Sequence, residues 1–167
     1  MDKTVLLTER CIVREFTIED LATLFELYGQ PGMTRFVEPL YQWEEERQYQ
    51  ERYIELIYRK YGYGLWMVED RKTGQVIGRI GVESHGGDPE GVAELGYLVS
   101  QDRQGQGIAT EVCRAVLDYA RETLHLNRLY ARIHPENEAS NRLAAGLGLV
   151  PTNRFDRNDR IWERSLE

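Results

Sequence analysis

Hydrophobic positions along this chain change period several times. The segment 5–16, "VLLTERCIVREF", places Leu7, Cys11 and Val13 among its apolar positions and predicts a strand. From Thr17 the period lengthens. Leu21, Leu24, Phe25 and Tyr28 then fall at helical spacing, and Gly29 with Pro31 stops the run. Asp20, three residues after Thr17, resembles a capping box at the start of that helix. A second helix is predicted over 44–60, with Tyr49, Tyr53, Leu56 and Ile57 as its apolar stripe.

The two-residue period returns at Gly64. "GLWMVED", the turn "RKTG" and "QVIGRIGVES" predict a hairpin, and "VAELGYLVS" is apolar enough for a central strand. "IATEVCRAVLDYARETL" is helical, with Ile108, Val112, Ala115, Val116, Tyr119 and Ala120 on one face. "NRLYARIH" reads as a strand, "EASNRLAAGL" as a helix, and "LVPTNRF" with "DRIWERSLE" as a closing hairpin. The order predicts an α/β domain of about seven strands and four helices, with one strand–helix–strand crossover at its centre. No repeat or linker interrupts it, so residues 1–167 read as a single domain.

Composition removes several function classes. A formal net charge of −7 argues against a broad nucleic-acid-binding face, which rests on neutralising phosphates. No apolar run approaches the ~20 residues that span a bilayer, and the first residues do not form a signal peptide, so a cytoplasmic protein without membrane contact is expected. Cys11 and Cys113 read as buried thiols of a reducing compartment. No cluster has metal-ligand spacing, and no metal is expected. A small anion remains compatible with the acidic chain, because a helix N-terminus binds one without net positive charge.

"SQDRQGQGIAT" puts Gly105 and Gly107 at the mouth of the third helix, where glycine costs backbone entropy and adds no packing. A ligand that must approach the backbone closely explains them. A dinucleotide fingerprint fails because Thr110 stands where its third glycine belongs, and a P-loop fails because no Lys follows. The pattern Gln104-x-x-Gly107-x-Ala109 between strand and helix resembles the pyrophosphate loop of the GNAT superfamily, the acyl-CoA-dependent N-acetyltransferases. The likeness extends over nearly the whole chain. "GYGLWMVEDRKTGQVIGRIGV", "AELGYLVSQDRQGQGIATEV" and "IHPENEASNRLAAGLGLV" are similar to successive family segments in the family's order, with Asn137, Ser140 and Asn141 at its N-x-x-S-N positions. The branch it most resembles holds the ribosomal-protein N-terminal acetyltransferases. Leu147-Gly148-Leu149 departs from the usual Leu-Gly-Phe, a change an aliphatic side chain accommodates.

The resemblance implies a mixed, mostly antiparallel twisted sheet with a splayed central strand pair, acetyl-CoA as co-substrate, and an amine acceptor. It implies coenzyme contacts from Arg103, Gln104, Gly105, Gln106, Gly107, Ile108, Ala109 and Thr110, with backbone pairing from Tyr97, Leu98 and Val99. Glu94 shares a strand face with Val92, Gly96 and Leu98, and is either structurally paired or the base that takes a proton. Burial is expected to raise its pKa. The resemblance makes Ser140 the candidate acid at the sulfur and a coenzyme contact, and Asn137 a coenzyme contact that positions pantetheine or substrate; local helix capping is the alternative for both. His85 reads as a solvated turn residue, His125 as a helix exit and His134 as a strand end. Tyr28, Phe36, Tyr41, Trp43, Tyr49 and Tyr53 lie in the segment that walls the acceptor pocket in this family. Acceptor choice between a protein N-terminus and a small amine stays open, as does a monomer against a homodimer. From another class, a coenzyme-A-binding regulatory or interaction module without turnover has the same motif.

Overall fold

A turn at Thr8 reverses the first apolar segment, giving β1 (Thr4–Leu7) and β2 (Cys11–Arg14) where alternation predicts one strand. The Thr8 N–H donates to the Cys11 carbonyl at 2.9 Å and closes the turn. Its hydroxyl and the Arg10 guanidinium both reach Glu111, a partner about a hundred residues away that local periodicity cannot report. The computed structural model describes residues 3–167.

The remaining strands are β3 (Leu65–Asp70), β4 (Val76–Glu83), β5 (Val92–Val99), β6 (Arg128–Ile133), β7 (Val150–Asp156) and β8 (Asp159–Ser165). Among the described residues these eight strands form one sheet ordered β1-β2-β3-β4-β5-β6-β8-β7, one strand more than the sequence pattern predicts. Neighbours run antiparallel except β5 and β6. Those two are parallel because α4 (Ile108–Glu122) carries the chain back between them.

Helix α1 (Leu21–Tyr28) packs Leu21, Leu24 and Leu27 inward. The capping box at its entry is present: the Thr17 N–H donates to Asp20 Oδ2 at 2.8 Å. Next comes a helical arm of α2 (Trp43–Arg52), a π-helical stretch (Tyr53–Tyr58) and a last turn, α3 (Arg59–Tyr61). The stripe predicted for this arm is only partly the buried one. Leu56 is 60 % exposed and Tyr49 is exposed, whereas Glu46, Gln50, Tyr53 and Tyr58 are buried. The reason lies below the arm. Buried Arg79 of β4 donates to Gln50 Oε1 at 3.2 Å and lies over the rings of Phe16 and Tyr53, so the arm turns polar and aromatic groups toward a cation. The π turn adds a residue to the local repeat and rotates the following side chains relative to an α-helical stripe.

On the other face, α4 buries Ile108, Val112, Cys113, Val116, Leu117 and Ala120 against the sheet. The stripe follows the predicted period. Helix α5 (Glu138–Gly146) lies beside it, so α4 and α5 cover one face of the sheet while α1 and α2 cover the other. Cys11 and Cys113 are free and buried, and burial pushes the Cys113 thiol up. No helix among the described residues is long and apolar enough to cross a membrane.

Candidate active site

The sheet opens at its one parallel seam. β5 and β6 pair only at Val92/Arg128, Ala93/Leu129 and Glu94/Tyr130. Beyond Glu94, β5 continues to Val99 against β4 alone, and β6 continues to Ile133 against β8 alone. Leu95–Val99 therefore turns one backbone edge toward a notch, where an extended ligand arm can take the place of a strand. Tyr97 and Leu98 stand on that edge. The Val99 carbonyl already accepts from Gln104 Nε2 at 2.9 Å, which ties the following loop to the strand end.

That loop leads into the mouth of α4. Gly105 and Gly107 have φ of +76° and +80°, a left-handed conformation that β-branched side chains rarely adopt. Gly107 is the N-cap, so no capping side chain satisfies the first-turn N–H groups of Ile108, Ala109 and Thr110. An anion at this end meets free donors and the positive pole of a fifteen-residue helix. The Ile108 side chain itself is buried and anchors the turn. Arg103 pairs with Asp70 at 2.9 Å and its Nε donates to Gln106 Oε1 at 3.1 Å, so its side chain braces the loop. Arg10 adds a cation that the sequence pattern does not single out. Its Nη1 donates to the Gln106 carbonyl at 2.9 Å, and its Nη2 lies 3.6 Å from where a Cβ on Gly107 would sit. These groups suit a bound anion.

At the closed end of the notch stands Glu94, on the face shared by α1 and α2. Its carboxylate accepts from Arg132 Nε at 2.6 Å and from Nη2 at 3.1 Å, and its Oε1 lies 2.8 Å from His85 Nε2. Burial pushes the Glu94 pKa up, but the bonds from His85 and Arg132 outweigh it and hold the group below the usual carboxylate range. This corrects the expectation of a raised value, which counted burial without the two cationic partners. His85 is an exposed loop residue, as its sequence context predicts, but its ring is bonded to the Glu94 carboxylate, a contact the sequence does not show. Glu83 lies close by and accepts from the Tyr53 hydroxyl at 2.7 Å. Alternation along "NRLYARIH" puts Tyr130, Arg132 and His134 on one face, the only sequence signal that could have pointed to Arg132.

Ser140 sits on the opposite face of the sheet, in the first turn of α5. Asn137 is the N-cap: its side-chain oxygen accepts from the Ser140 N–H at 3.2 Å. Asn137 therefore caps α5 through its side chain, and the Ser140 hydroxyl takes no part in that cap. The Tyr97 hydroxyl reaches the Ser140 carbonyl at 3.4 Å, and burial pushes its pKa up to about 12.

The chain between α1 and α2 crosses the notch. Gln30 bonds Ser100 at 3.0 Å, Met33 Sδ accepts from Gln104 at 3.5 Å, and the Phe36 ring lies 5.3 Å from that of His134. Both lips of the opening are thus touched by one segment. Beside it, Phe25 packs on Trp43 and Tyr41 on Tyr49 at 5.1 and 5.8 Å between ring centroids, leaving Trp43, Tyr41 and Tyr49 exposed.

A splayed strand pair thus faces an uncapped glycine helix mouth. The chain belongs to the GNAT acetyltransferase family, for residues 10–150 match its family model, described as an acetyltransferase (GNAT) domain. An uncharacterized N-acetyltransferase of Bacillus subtilis (strain 168), YoaA, is 31 % identical over 146 residues, covering 86 % of this chain and 81 % of the relative. A shorter stretch of 54 residues is 39 % identical to the [ribosomal protein uS5]-alanine N-acetyltransferase of Escherichia coli (strain K12), covering 32 % of this chain and 28 % of that one. Among solved structures, spermidine N-acetyltransferase from Vibrio cholerae in complex with CoA and spermine superposes with a TM-score of 0.77 at 20 % identity, covering 94 % and 96 % of the two chains. This chain is accordingly an acetyl-CoA-dependent acetyltransferase by family and fold.

Proposed function

We propose that the acceptor is a primary amine, on a protein N-terminus or a small molecule, which attacks the thioester directly. The observation that carries this reading is the notch, with the phosphate-binding helix mouth at one end and the Glu94–His85–Arg132 group at the other. An ammonium approaching from the α1/α2 face meets Glu83, Glu94 and a wall of tyrosines, surroundings that favour a cation. Bound acetyl-CoA supplies an activated acetyl group and a thiolate leaving group. The protein's own work is to remove a proton from the ammonium at the Glu94–His85 pair and to donate one to the sulfur from Ser140 across the sheet.

A panel of amines tests the reading: peptides with free N-termini, a polyamine, an aminoglycoside and amino acids, assayed by free-thiol release and product mass. Thiol release with at least one class is expected. Coenzyme binding without release from any amine would instead leave a coenzyme-A-binding regulatory or interaction module.

Ser140→Ala should lower the acetyl-transfer rate about tenfold, less than the hundredfold typical of a positioned acid because water can replace a hydroxyl. Coenzyme affinity should hold, and the melting temperature should barely move because Asn137 is the cap. Asn137→Ala should behave in the opposite way, costing about 1 kcal/mol of stability. A normal rate in Ser140→Ala removes the acid role.

A further inference from the structure

His85 lies in the loop between β4 and β5, and that loop is fastened. Ser84 Oγ donates to the Val92 carbonyl at 3.0 Å, the His85 N–H donates to Asp88 Oδ2 at 2.9 Å, and the Tyr130 hydroxyl donates to Asp88 at 3.0 Å. The imidazole is therefore held in one place, with Nε2 at 2.8 Å from Glu94 Oε1. Arg132 engages both oxygens of the same carboxylate. Access differs sharply between the two partners: the Glu94 side chain is 11 % exposed and that of His85 is 46 % exposed. An ammonium arriving from solvent meets the ring before the carboxylate.

We propose that His85 is the catalytic base that takes the ammonium proton, and that Glu94 is a positioning residue acting through it. The assignment rests on the acetyltransferase reading above. With Nε2–H donated to Glu94, the neutral ring keeps Nδ1 as its proton acceptor. One proton passes from the ammonium to His85. The freed amine lone pair forms the N–C bond to the acetyl carbon, and the C–S bond breaks with its electron pair on sulfur. The nitrogen sheds its second proton, the sulfur gains one, and His85 returns its own to solvent.

The charged and titratable surroundings of the ring support this use. Glu83 faces it from β4, Glu94 from β5 and Asp88 from its own loop. Arg132 and Tyr130 of β6 stand behind Glu94 and Asp88, and Tyr53 of the helical arm is bonded to Glu83. The hydrogen bond to Glu94 raises the His85 pKa against the effect of burial, and Glu83 and Asp88 add to the rise. Glu94 is held low by its cations and is a poor acceptor at neutral pH. Because neutral imidazole is the working form, kcat/KM should climb with pH through the His85 pKa.

The experiment is kcat/KM from pH 5 to 9 for wild type, His85→Gln, His85→Asn and Glu94→Gln, using one amine found by the panel so that its own titration is common to all. Calorimetric acetyl-CoA affinity verifies the fold of each variant, and NMR of the His85 ring proton gives its pKa directly. Both His85 variants should lose about a hundredfold at pH 7, together with the acidic limb. Glu94→Gln removes the interaction that raises the His85 pKa, so the limb and the ring titration should both shift to lower pH. If an active His85→Gln enzyme keeps the limb while Glu94→Gln loses it, Glu94 is the base and the assignment falls alone. Should wild type bind acetyl-CoA yet release thiol with no amine, the acetyltransferase reading falls and takes the assignment with it.

Discussion

Gly107→Val should weaken acetyl-CoA binding about a hundredfold while the rest of the domain stays folded. Space is not the obstacle, since a Cβ there would meet Arg10 Nη2 at 3.6 Å, an ordinary contact. The backbone is. At φ +80° a β-branched residue is an outlier, and left-handed geometry costs an L-residue roughly 1–2 kcal/mol. Relaxing that strain swings the loop and turns the first N–H groups of α4 away from the diphosphate. Losing two hydrogen bonds to a charged group costs on the order of 3 kcal/mol, which is the hundredfold. Calorimetry decides it, with a melting curve on the same sample. Wild-type affinity in a folded variant would mean that the diphosphate lies elsewhere.

The largest expected stability effect is far from the notch, at Arg14. Its guanidinium donates to Asp20 at 2.7 and 2.8 Å, to Glu69, and to the Glu15 carbonyl at 3.0 Å, and both Arg14 and Asp20 are buried. Arg14→Met leaves two carboxylates without their cation. Breaking a buried pair from one side costs about 3–5 kcal/mol, or roughly 10 °C in melting temperature for a domain of this size. Asp20 also receives the Thr17 N–H, so the entry to α1 loosens, and with it the segment that crosses the notch.

The pH dependence of that variant follows from the direction of the Asp20 shift. Burial pushes its pKa up, but the bonds from Arg14 and Thr17 outweigh it and hold it below the usual carboxylate value. A depressed folded pKa means stability that is present above the unfolded value, near 4, and lost as pH falls through the folded one. In Arg14→Met the same carboxyl is buried without a cation and favours its proton. The gap in stability between wild type and variant should therefore narrow as pH falls below about 4. Chemical melts at pH 7 and at low pH measure it. A gap that stays constant would assign the loss to packing.

Much of this protein is legible in its sequence. The alternation from Gly64 onward marks β3, β4 and β5 closely, the stripe from Ile108 to Ala120 is the buried face of α4, and Thr17 with Asp20 forms the expected capping box. Gln104-x-x-Gly107-x-Ala109 marks a helix mouth that needs left-handed glycine. These features share one physical property: each is set by contacts within a few residues or by exposure to one side of a single element.

Tertiary structure decided the rest. The turn at Thr8 closes locally but is tied down by Glu111 from α4, and the polar buried side of the α2 arm depends on Arg79 of a strand that comes later in the chain. The ionisation of Glu94 is the clearest case. Its strand position is readable, and so is its burial, but the sign of its pKa shift is set by His85 from a loop and Arg132 from β6. Arg132 reaches Glu94 only because the α4 crossover lays β6 parallel to β5, and no spacing within a segment encodes that meeting. Local pattern determines which residues are buried; the order of strands in the sheet determines which charges they are buried against.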